Sequence, residues 1–230
     1  MNVSKHNANL IQFTKLTRLA KSLYFSNKEN EPRGFMDIND NEVLGLLQSL
    51  SESNVEYMLV GGVAAVFHGH VRTTGDIDLW VNEVPENKKR LVNALSQIGV
   101  PAAEGFLNVP LIPGWSSLTI GDSGFTAYFM AYTSFFKQAD FNEVYKRSVK
   151  GEINGIKFQV IHINDLIKEK KRLGRHKDLD DVENLEKIKK TESNSKFAFI
   201  SSFFCLSAFC QCHLFCFSVS SDFSSHEKHL

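Results

Sequence analysis

The stretch "YMLVGGVAAVFHGHVRTTGDIDLWV", residues 57–81, decides how this chain is read. "YMLV" is a short apolar run of β-forming type, broken by Gly61-Gly62. "VAAVFHG" then reads as a short helix stopped by Gly69. "IDLWV", Ile77–Val81, is a second strand, entered through Asp76 and carrying Asp78. Side chains at i and i+2 of a strand share a face, their Cα atoms roughly 7 Å apart. Two carboxylates held that way repel, and one stays protonated unless a cation lies between them. Mg²⁺ suits such a pair, because it takes a few hard oxygens from protein and the rest from water and phosphate. The competing reading is a pair of solvent-facing aspartates at a strand end.

The glycines bear on that choice. A strand that ends at Gly61-Gly62 and opens into a helix points backbone N–H groups outward, toward an anion such as phosphate. The plainer alternative is a tight turn that needs positive φ. The chain has neither G-x-x-x-x-G-K-[ST] nor G-x-G-x-x-G, so a P-loop and a dinucleotide fold are both disfavoured. Between the glycines and the acids lies "RTT". Arg72 suits phosphate neutralisation and Thr74 can donate a hydrogen bond; alternatively both belong to an exposed loop. His68 and His70 read as packed or surface residues, and Trp80 and Trp115 as core.

Outward from this stretch, "DINDNEVLGLLQSLSESN" offers N-caps followed by Val43, Leu46 and Leu50 on one helical face. Pro85 opens a helix running to about Gln97, with Leu91, Leu95 and Ile98 inward and Gly99 as its stop. "SLTI" and "FTAYFMAY" read as strands and "DFNEVYKRS" as a short helix. In "GEINGIKFQVIHI", Asn154-Gly155 between β-rich runs marks a hairpin. Two helices follow, "NDLIKEKKRLG" and "DLDDVENLEKIKK", the second with Leu179, Val182, Leu185 and Ile188 on one face. The expected fold is mixed α/β (α+β): one central sheet flanked by helices, with a helical C-terminal segment and poorly structured tails.

The 230 residues suffice for one domain with a sizeable core. Lys+Arg and Asp+Glu both total 26, so nothing global argues for wrapping nucleic acid. Residues 1–35 are polar, basic and poorly patterned, and are expected to form a weakly ordered leader. Residues 36–190 form the expected domain. The four cysteines all lie in residues 205–216, so no disulfide framework holds the body, as suits a reducing, cytoplasmic setting. In the 191–230 tail, residues 197–219 carry no charge and are long enough to span a bilayer, giving membrane tethering as the alternative. The cysteine spacing there lacks a zinc knuckle.

"LVGGVAAVFHGHVRTTGDIDLWV" resembles the signature of the nucleotidyltransferase superfamily, with its DNA polymerase β-like fold. The Arg72-x-Thr74-x-Asp76-Ile77-Asp78 form is similar to a bacterial branch that includes uncharacterised nucleotidyltransferases and relatives of toxins in toxin–antitoxin systems. Lys170 and "GRHKD", Gly174–Asp178, resemble that branch's second motif. The resemblance covers roughly residues 36–190. It implies transfer of an NMP from an NTP to a hydroxyl of a protein, RNA or small molecule. Asp76 and Asp78 would be catalytic and hold Mg²⁺, with two ions possible. Gly61, Gly62, Arg72 and Thr74 would meet the nucleotide, and Lys170, Arg175 and Lys177 phosphate or acceptor. A cognate antitoxin or other partner protein is also implied. The superfamily's third carboxylate, a general base or second metal ligand, has no counterpart in "FTAYFMAY"; only Asp122 and Asp140 flank it. The alternative is therefore a degenerate member that binds nucleotide, RNA or a partner without turnover.

Overall fold

Asp40 starts the first element of the expected domain: its side chain accepts from the Glu42 N–H at 3.0 Å, capping helix α2 (Asn41–Glu52). The computed structural model describes residues 3–31, 35–121 and 125–194. Asp122 and the apolar, cysteine-bearing run 197–219 lie outside them. Two compact units divide the chain, Met1–Glu186 and Lys187–Leu230. In the second, residues 187–194 are helical. The sheet and its flanking helices belong to the first unit.

A helix precedes α2: α1 spans Val3–Ser26. Thereafter come β1 (Tyr57–Leu59), α3 (Gly61–Phe67), β2 (Asp76–Val81), α4 (Pro85–Gln97), α5 (Gly105–Asn108), β3 (Ser117–Ile120) and β4 (Phe125–Met130). A 3-10 turn at Gln138–Asp140 leads into α6 (Phe141–Lys146), the hairpin β5 (Val149–Ile153) and β6 (Ile156–Val160), and α7 (Ile163–Leu173). Residues 176–186 form a further helix, α8.

The strands make one mixed six-stranded sheet in the order β3-β4-β2-β1-β6-β5. Strand β2 is interior: antiparallel to β1, with Leu59 opposite Leu79, and parallel to β4, with Asp78 opposite Tyr128. The expected mixed sheet with flanking helices is thus present. The hairpin turns at Asn154 (φ 50°) and Gly155 (φ 81°), the left-handed pair that a two-residue turn of matching twist requires. Helix α7 stops at Gly174, φ 66°.

The core gathers Val43, Leu46, Leu47 and Leu50 of α2, Leu91 and Leu95 of α4, and Ile77, Leu79 and Trp80 of β2. Trp80 is fully buried, and its Nε1 donates to the Ala131 carbonyl at 2.9 Å. Trp115 is not core: it stands 84% exposed on the Ile112–Ser116 turn. That turn closes on itself through backbone hydrogen bonds and turns the ring outward, so apolar character alone misplaced it.

Within the span expected to form a weakly ordered leader, Val3–Ser26 are helical. Helix α1 buries Leu10 and Phe13. The ring of His6 stacks on Phe67 at 4.1 Å, while its Nδ1 meets the Phe67 carbonyl at 2.9 Å. The inward stripe is His6, Leu10, Phe13, Thr14 and Thr17. A hydropathy pattern overlooks it because three of the five are polar. Among the described residues no helix is long and apolar enough to cross a membrane.

Candidate functional site

Strand β2 leaves the sheet centre with Ile77, Leu79 and Val81 buried and Asp76 and Asp78 on the alternate positions, partly exposed. Both acids line a cavity of roughly 490 Å³. Gly61, Gly62, Arg72, Thr74, Lys170, Arg175 and Lys177 line the same cavity. Every residue singled out in the two motifs therefore converges there, although more than 90 positions separate the first motif from the second.

The two glycines serve the acids directly. Gly61 has φ 61°, and a Cβ on it would fall inside the Asp78 carboxylate. At Gly62 a Cβ would come 2.6 Å from Thr74 Oγ1. The turn is bare so that β2 and the 72–74 loop can close over it. Thr74 Oγ1 in turn donates to Asp76 Oδ1 at 2.8 Å, fixing one carboxylate oxygen. Burial, and next the Asp76 charge, push the Asp78 carboxyl up to about 6; Lys170, Lys177 and Arg175 pull the other way without prevailing. Burial and mutual repulsion thus both oppose full ionisation of the pair.

Helix α8 adds Lys177 and the buried Asp178 to the lining and carries a second buried acid, Asp181. Asp181 is 1% exposed. Arg72 donates to both its oxygens, at 2.8 and 2.7 Å, and Lys170 Nζ lies 2.5 Å away. His70 Nε2 stands 3.1 Å from the same carboxylate. Burial raises the Asp181 carboxyl, but the His70, Lys170 and Arg72 contacts outweigh it and hold the group well below the usual range. Asp178, also buried, accepts from Arg175 Nε at 2.6 Å. Lys170 is itself buried, so it is no solvated helix end, and Arg72 is bound rather than loose in a loop. Lys177, by contrast, is exposed.

His70, Asp180 and Asp181 offer three metal-type ligand atoms within 4.8 Å of one another. Two cations already occupy Asp181, and their charge opposes a divalent ion there. This cluster fits an ion-pair network, whereas Asp76 and Asp78 offer the hard carboxylate oxygens that suit Mg²⁺.

The place for a third acid is filled otherwise. On β4, beside β2, Tyr128 and Met130 face the cavity. Asp140 lies outside its lining and accepts from the Lys137 N–H at 2.8 Å, a local turn bond. The other acids lining the cavity, Glu169 and Asp178, are engaged: Glu169 accepts from the Ser134 and Phe135 N–H groups at 2.9 and 2.8 Å. Glu169, Asp181 and Tyr128 escaped sequence reasoning. Asp178 and Asp181 had a signal, since with Val182 and Leu185 they form an i, i+3, i+4, i+7 stripe. Leu179, expected inward, is half exposed because that stripe faces in instead.

A family model described as "Nucleotidyltransferase of unknown function (DUF6036)" matches residues 36–195. A search of curated proteins returned no match.

Proposed function

Because the chain belongs to this family of nucleotidyltransferases, we propose that it is an Mg²⁺-dependent enzyme moving an NMP from an NTP onto an acceptor hydroxyl. One observation supports this most: Asp76 and Asp78 line one cavity together with the bare glycine turn and with Arg72, Lys170, Arg175 and Lys177. The acceptor oxygen would attack the α-phosphorus, forming one P–O bond while the bond to the β-phosphate oxygen breaks. Pyrophosphate departs and the hydroxyl proton passes to cavity water. Asp76 and Asp78 would hold Mg²⁺, one or two ions, which when bound would neutralise triphosphate charge and polarise the reacting phosphoryl group. Thr74 keeps Asp76 oriented, and the space at Gly61 keeps Asp78 seated. Arg175 and Lys177 stand where phosphate charge would arrive; Arg72 and Lys170 reach it from their anchorage on Asp181.

The test is incubation of each α-labelled NTP with Mg²⁺ and with total RNA or total protein. Label transfer and pyrophosphate release, both lost in Asp76→Asn, are the expected result. Tyr128 and Met130 in place of an acid on β4 favour a second reading, in which nucleotide is held without turnover. Tight NTP binding with no pyrophosphate release would establish that reading instead. A cytoplasmic toxin with a cognate antitoxin belongs to the first proposal: induced expression should arrest growth, and Asp76→Asn should relieve it.

A further inference from the structure

A second large cavity, roughly 630 Å³, lies at the Tyr57 end of β1. It shares no lining residue with the cavity of Asp76 and Asp78, which begins past the other end of that strand at Val60 and Gly61. The close of α2, Arg90 of α4, Tyr145 of α6 and the β5–β6 hairpin contribute to its lining. A space of this size suits a small organic molecule.

Two donors of the lining residues lack hydrogen-bond partners among the described residues. Tyr57 is only 3% exposed, yet its hydroxyl makes no hydrogen bond. Burial, and next Tyr145, push that hydroxyl's pKa up, so it stays an O–H donor. Arg90 Nε is buried as well and likewise unbonded. A buried donor left unbonded is costly and calls for an acceptor.

The charges of the lining do not cancel. Arg90, Lys150 and Lys157 stand against two acids, Glu56 and Glu152. Glu56 lies 3.5 Å from Arg90, and Glu152 is the register partner of Lys157 across the hairpin. Lys150 is left exposed and enters no ion pair among the described residues. Phe158 and Tyr145 add aromatic rings to the same lining. Unbonded donors, one surplus positive charge and aromatic walls match a monoanion that carries a planar ring. We propose that this cavity binds a small aromatic carboxylate, its ring against Phe158 and Tyr145, its oxygens accepting from Tyr57 Oη and Arg90 Nε, and its charge answered by Lys150. The site is separate from nucleotidyl transfer and does not depend on that reading.

The test is isothermal titration of the full chain with cinnamate, its uncharged analogue cinnamamide, and acetate, without NTP or Mg²⁺. Cinnamate should bind with a Kd below about 1 mM, cinnamamide roughly ten-fold more weakly, and acetate not measurably. Tyr57→Phe keeps the ring and drops only an unbonded hydroxyl, so it keeps the fold; it should weaken cinnamate binding roughly ten-fold, the loss of one hydrogen bond to a charged group. Lys150→Ala should weaken it by a few-fold and flatten its salt dependence. Lys177→Ala, in the other cavity, should bind cinnamate as the wild type does. No saturable cinnamate binding up to about 10 mM, equal binding of cinnamamide, or wild-type affinity in Tyr57→Phe overturns the proposal. Weakened binding in Lys177→Ala overturns it too, since the ligand would then sit with Asp76 and Asp78.

Discussion

Asp78 carries the tension of the cavity. Its carboxyl rises from the ordinary 3.8 to about 6, through burial first and Asp76 second. A raised carboxyl penalises the fold when ionised. The penalty is absent below pH 3.8, grows as pH climbs toward about 6, and is complete above it. Asp78→Asn should therefore stabilise the protein at pH 7.5 by on the order of 2 kcal/mol and leave it unchanged near pH 3.5. Urea melts at both values check this, and equal effects at both would refute it. Gly61→Ala should act oppositely. Left-handed φ costs a non-glycine residue roughly 1–2 kcal/mol, and the new methyl displaces the Asp78 carboxylate. The expected outcome is a lower urea midpoint together with lost label transfer. Of these two residues, Asp78 was legible from alternation within "DIDL". The need for Gly61 was legible only as a turn, since the carboxylate that fills its missing side chain is remote in sequence.

The helix beginning at residue 176 shows why legibility ends where acids turn inward. Its buried stripe is Asp178, Asp181, Val182 and Leu185, and a reading that sends charges outward picks Leu179 in their place. Local chemistry was reliable elsewhere: Asn154-Gly155 made the hairpin, Pro85 opened α4 and Gly174 closed α7. Partners of buried charges come from distant elements, Arg72 from the loop before β2 and Lys170 from α7, and no local pattern announces them. Removing a buried partner strands the other charges, at a cost of about 3–5 kcal/mol. Asp181→Ala should destabilise by that amount, whereas Asp180→Ala, 66% exposed, should stay within about 0.5 kcal/mol. Asp181 also makes stability fall in acid. Its contribution is present above the ordinary carboxylate pKa and drains away as pH drops toward its depressed folded value.

Over the whole first unit, the sheet brings two separate motifs to one cavity, and α1 packs behind α3, which begins at the glycine turn. Helix α1 lies outside the span matched to the family, yet it covers Phe67 and buries Leu10 and Phe13. Deleting residues 1–27 should cost about 3–6 kcal/mol, taking roughly 1.5–3 for each of those two large side chains. A drop in melting temperature checks this; an unchanged one would mean α1 is not docked. That helix was invisible in sequence because its inward face is half polar. The account as a whole depends on a magnesium triphosphate fitting between Asp76, Asp78 and the bare turn. Thermal melts with a non-hydrolysable ATP analogue, Mg²⁺, both, or neither test this most directly. The melting temperature should rise only with both present and should not move in Asp76→Asn. A rise that persists in EDTA, or that is equal in Asp76→Asn, would contradict the account.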